Sequence, residues 1–67
     1  GGDRMLEKIE QGKVYKSLND SFRLVAFVDS KTVFYYYSDS HSDVLKTDQA
    51  STMSLSAFMS SHKEFKL

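Results

Sequence analysis

Five consecutive residues, Val33-Phe34-Tyr35-Tyr36-Tyr37, constrain this chain more than any other feature in it. The run is the densest β-branched and aromatic stretch of the sequence, a composition that favours an extended strand. Successive side chains of a strand point to opposite faces, so no register can place all four rings on one side. Either Val33, Tyr35 and Tyr37 or Phe34 and Tyr36 fill an interior. The other set is then covered by a further element or lies open to solvent. With 67 residues in all, interior space is scarce, because a chain this short buries only about 60% of the surface its unfolded form exposes.

Two further runs read as strands on the same side of the chain. Residues 13–18 alternate Val14 and Lys16 against Tyr15 and Ser17 and stop at Asn19-Asp20-Ser21, a turn signal. Residues 22–28 set Phe22, Leu24, Ala26 and Val28 against Arg23, Val25 and Phe27. Both sets are largely apolar, which predicts the central strand of a sheet. Asp29-Ser30-Lys31 is the next turn, and residues 32–38 form the third strand of an antiparallel meander. Beyond a polar loop at 39–43, residues 44–46 and 49–55 predict short edge strands.

Helical spacing marks the two ends. Met5, Leu6 and Ile9 share a stripe behind an Asp3 cap, and Gly12 can take the left-handed conformation that ends a helix over residues 3–12. Leu55, Phe58, Met59, His62 and Phe65 follow the same period over residues 54–65, with Ser54 or Ser56 as the cap. Gly1-Gly2 reads as a cloning or cleavage remnant, which leaves residues 3–67 as a single small domain. The expected fold is mainly β with some helix (α+β). It is a small, strongly bent antiparallel sheet, or an SH3-like partly open barrel, of four to five strands with a short helix at each end.

Composition removes several classes of function. There is no cysteine, which excludes disulfides, zinc ribbons and Fe–S sites. Nine basic and nine acidic residues cancel, which argues against a strongly basic nucleic-acid clamp. No apolar run approaches the ~18–20 residues needed to cross a bilayer, so the expectation is a cytoplasmic protein without a membrane partner.

Asp39-x-His41-x-Asp43 has site-like spacing, since alternate residues of an extended segment share a face. As a calcium loop it fails, because Val44 and Ala50 stand where the sixth-position Gly and twelfth-position Glu belong. A lone His without a second His or Cys also suits no transition metal, and the segment reads as a solvated turn. His62 lies on the apolar side of the closing helix and reads as a partly buried histidine or a helix-dipole partner. As a general base it lacks a serine on a Gly-rich elbow. No catalytic, cofactor or metal site is expected.

Taken together, Gly12-Lys13-Val14-Tyr15, the strands at 23–28 and 33–37, and the closing Leu55-Ser56-Ala57-Phe58 resemble small single-domain proteins of bacteriophages and mobile elements. Those proteins open on a Gly-x-x-Tyr strand, run a three-strand meander and end in a Leu-x-x-Phe element. The likeness spans residues 12–65 and is one of hydrophobic rhythm. It implies a protein that acts by binding, for example by blocking a host enzyme or defence complex, and it transfers no individual site residue.

The expected function is therefore a non-enzymatic module that contacts a larger protein. Tyr35, Tyr36 and Tyr37 are the expected contact residues, with Arg23 adding a bidentate polar contact at the edge. The alternative is a single-stranded nucleic-acid binder whose bases stack on the same rings, with Lys13, Lys16, Arg23 and Lys31 as flanking cations. A second copy of the chain is a further expected partner, since a thin core with exposed strand edges gains stability by pairing.

Overall fold

The computed structural model describes residues 8–65. Among them are five strands and one helix: β1 (Val14–Ser17), β2 (Phe22–Val28), β3 (Thr32–Ser38), β4 (Ala50–Ser54), α1 (Leu55–Ser61) and β5 (His62–Glu64). The strands form one antiparallel sheet in the order β4-β3-β2-β1-β5. β2 is the central strand, as its two apolar faces predict. β4 and β5 are opposite borders and do not meet, so the sheet stays open and is not closed into a barrel. Among the described residues no helix is long and apolar enough to cross a membrane.

Side-chain chemistry sets both meander turns. At the first, the Ser17 hydroxyl accepts from the amides of Asn19 and Ser21 at 3.2 Å each, and Asp20 takes a left-handed φ of 62°. Asp is among the few non-glycine residues that tolerate this region. At the second, one Asp29 carboxylate oxygen accepts from the amides of Lys31 and Thr32 at 2.8 and 2.7 Å. Those two donors hold the Asp29 carboxyl below its ordinary pKa.

The inner face of the sheet and α1 enclose the core, which comprises Ile9, Tyr15, Val25, Val33, Tyr35 and Phe58. Leu55 and Met59 of α1 and Met53 of β4 pack against it. The helix starts where the Ser54 side chain accepts from the Ala57 amide, so of the two expected cap residues, Ser54 and Ser56, it is Ser54 that caps. It ends sooner than its apolar period predicts. His62, Lys63 and Glu64 are strand, paired with Ser17, Lys16 and Tyr15. The physical reason is the otherwise open border of β1, whose unpaired backbone groups three extended residues satisfy better than another helical turn would.

Three other expectations change. Residues 3–7 of the anticipated first helix lie outside the described residues, and Lys8, Ile9 and Glu10 carry no regular structure. Ile9 is nevertheless buried, and the Glu10 amide donates to the Tyr15 hydroxyl at 3.0 Å. Residues 41–46 are successive turns and not an edge strand, held by bonds such as Val44 N–H to Ser40 C=O at 3.1 Å. Val44 is fully buried there. Finally, the register of β2 against β3 shifts between Val25 and Phe27. This bulge at Ala26 breaks the alternation, so Val25 and Val28 both face the core while Phe27 faces out.

Gly12 does adopt the left-handed region, at φ 84°, within a tight turn where Lys13 N–H reaches Glu10 C=O. A Cβ there would meet no atom within 4 Å, so Gly12→Ala isolates the backbone term. The expected loss is about 1 kcal/mol, read as a melting temperature lowered by about 4–8 °C in a domain of this size. An unchanged midpoint would mean that the turn relaxes to another conformation.

Candidate functional site

Alternation divides the aromatic run of β3. Val33, Tyr35 and Tyr37 face the core, where Tyr35 is only 5% exposed and Tyr37 packs at the margin. Phe34 and Tyr36 face outward, 43% and 37% exposed. Of the three expected contact tyrosines, then, Tyr36 is exposed, Tyr37 is half-buried and Tyr35 is enclosed. The bulge brings Phe27, 49% exposed, opposite Phe34, with ring centroids 5.8 Å apart. Strict alternation groups Phe27 with Arg23 and Val25, and nothing in the residue types of β2 announces the bulge that separates it from them. For Phe34, alternation leaves open which face of β3 is the inner one.

Phe34 and Tyr36 line a shallow groove of about 290 Å³ together with Tyr35 of β3, Ala26 of β2 and Ala50, Ser51 and Thr52 of β4, and Phe27 stands against Phe34. The groove lining carries no charged side chain. Elsewhere on the outer face, Phe22, His41 and Phe65 cover one another, with centroid separations of 4.9 to 5.8 Å. The outer face is therefore capped at the Phe22 end of β2 and bare at the Phe27 end.

Arg23 lies on the opposite side from this patch. Its guanidinium carbon is 5.1 Å from the Tyr35 ring centroid, and Nη1 is 2.7 Å from His62 Nε2. Its Nε is enclosed without a hydrogen-bond partner among the described residues. The expected edge contact is thus replaced by an inward one, because β2 alternation puts Arg23 on the same face as Val25.

His62 is buried, stacked on Phe58 with centroids 3.8 Å apart and planes 2° from parallel. Its Nδ1 is 3.0 Å from the Phe58 carbonyl and 2.9 Å from the Ser61 hydroxyl. A carbonyl can only accept, so Nδ1 carries the proton; Arg23 can only donate, so Nε2 carries none. Ser61 gives its own hydrogen to the Ala57 carbonyl at 2.7 Å. The imidazole is consequently a neutral, fixed tautomer that cannot take a proton from Ser61. Burial, above all, pushes its pKa down to about 4, and the Arg23 charge adds to the fall.

The Asp39, His41 and Asp43 segment lies in the turns of the 39–47 loop, with the His41 ring turned to Phe22 and Phe65. Among the described residues no three His, Cys, Asp or Glu side chains gather as metal ligands. Comparison with known protein families, curated proteins and solved structures finds no match to this chain.

Proposed function

We propose that the chain is a non-enzymatic binding module that contacts a larger protein through the outer face of β2, β3 and β4. The observation that carries this reading is the bare cluster of Phe27, Phe34 and Tyr36 beside an uncharged groove. Aromatic rings bring large contact area with few rotors to immobilise, which is why they dominate protein recognition. Tyr36 adds a hydroxyl that can stay hydrogen-bonded at a contact. A groove without cations suits an apolar side chain better than a phosphate backbone, whose capture rests on Lys and Arg. In the role implied by the sequence resemblance, this face covers the surface of a host enzyme or defence complex and blocks it.

The test is a Phe34→Ser, Tyr36→Ser double variant. Both side chains face solvent, so the circular dichroism spectrum should be unchanged. Partner affinity should fall about 100-fold or more if each ring contributes as a typical contact hot spot. Undiminished capture of the same partner would remove the outer face from the function. Oligonucleotide binding that weakens steeply with salt would instead replace the protein partner with single-stranded nucleic acid.

A further inference from the structure

The two borders of the sheet differ in kind. β5 is three residues long and carries Lys63 and Glu64, with Glu64 3.4 Å from the Lys13 ammonium. Short length and charge are the usual devices that keep an edge from pairing. β4 has neither device. It runs five residues, Ala50–Ser54, and no residue from 49 to 61 is charged or is proline.

Hydrogen-bond parity fixes which β4 groups are free. Leu55 N–H donates to Lys31 C=O at 2.7 Å, and Tyr37 N–H donates to Gln49 C=O at 3.0 Å, both in the β3–β4 register. Antiparallel ladders alternate bonded and non-bonded pairs. Ser51 and Met53 therefore point their backbone groups at β3, while those of Ala50 and Thr52 and the Ser54 amide point away from the sheet. None of these outward amides donates to another group of the chain among the described residues.

We infer that β4 pairs antiparallel with β4 of a second copy of this chain, about a two-fold axis at Thr52. In that register Thr52 faces Thr52 of the second copy, and Ala50 faces its Ser54. The outward residues are the even-numbered ones on both copies, so each meets a group of complementary direction and no amide is left facing an amide. The axis juxtaposes two threonines, a favourable cross-strand pair. Zero net charge leaves no overall repulsion between copies. α1 packs against β4, β3 and β5 with its apolar residues turned to the core, so it lies over the inner face of the sheet. The two five-stranded sheets become one. Since Thr52 shares the outer face with Phe34, both aromatic patches then lie on the same side of the joined sheet. This inference goes beyond the proposed partner contact and does not depend on it, because it uses the border and not the face.

Sedimentation of the full chain from about 10 μM to about 1 mM should show mass rising from one copy toward two. Thr52→Lys sets two ammonium groups opposite each other, and association should weaken at least tenfold with the spectrum unchanged. The chain has no cysteine, so Thr52→Cys provides a register test that stands even if the Lys variant misfolds. Bonded antiparallel pairs hold Cα atoms about 5.5 Å apart, within disulfide range. Mild oxidation should cross-link Thr52→Cys into a dimer, and Lys63→Cys on the other border should stay uncross-linked. A monomer at every concentration, or a dimer insensitive to Thr52→Lys, would overturn the inference. So would a dimer lost in the Phe34→Ser, Tyr36→Ser variant, which would mean that copies meet face to face.

Discussion

Phe58→Ala should leave most of the molecules unfolded at 25 °C. Phe58 is 0% exposed and is the one α1 residue wholly inside the core. It meets Tyr15 edge-on at 5.6 Å, Tyr35 at 5.7 Å and His62 in a parallel stack. Truncating a buried phenylalanine costs about 3–5 kcal/mol in transfer and cavity terms, and lost ring contacts add to that. A domain of this length has on the order of 3–10 kcal/mol in total, and small domains sit at the low end. The substitution therefore removes most or all of the margin. Urea titration followed by circular dichroism is the check, with Phe58→Leu expected to fall between wild type and Ala. A cooperative transition near the wild-type midpoint would show that α1 is not what closes the core.

The second large effect is acid sensitivity centred on His62. The unfolded chain binds a proton at His62 near pH 6.5, whereas the folded chain resists until about pH 4. Between those values the unfolded state holds more protons, so stability rises with pH through this window and is lost as pH falls through it. The gap corresponds to about 3 kcal/mol, most of it gone by pH 4. Protonation also sets an imidazolium against the Arg23 guanidinium at a nitrogen that had been its acceptor. Glu10 and Asp29, whose pKa values are lowered by Lys13 and by backbone amides, lose their contribution below this range. His62→Gln should flatten the stability profile between pH 4 and 6.5 while leaving the steeper acid limb. An NMR titration of the imidazole signals reads the same quantity directly. If His62 titrates near 6.5 in the folded chain, it is not enclosed as described.

Local chemistry made part of this fold legible. β2 and β3 follow from alternation, and their turns follow from Asn19-Asp20-Ser21 and Asp29, whose side chains satisfy the turning backbone themselves. Ser54 or Ser56 marked the start of the helix for the same reason, and Ser54 is the one that caps it. What was not legible depends on partners distant in sequence. The apolar period 55, 58, 59, 62, 65 continues through residues that end as strand, because β1 offers a border to pair with and the helix has none. The bulge at Ala26 is likewise a matter of fit between β2 and β3. Its effect on the site is direct: it turns Phe27 outward to join Phe34. Alternation alone required rings on both faces of β3, but which set met α1 was decided by Phe58, which seats between Tyr15 and Tyr35 on the inner side.

The passage of the chain from β4 across α1 to β5 also bears on the order of assembly. β1, β2 and β3 are joined by short turns, so their hairpins close at small entropic expense. β5 joins β1 only after nearly the whole described length has been threaded past it, and contacts so distant along a chain are slow to form. The meander can therefore exist as a nucleus before the C-terminal strand docks. That strand has only three rungs and the His62 stack to secure it, so its amides should exchange with solvent faster than those of the meander.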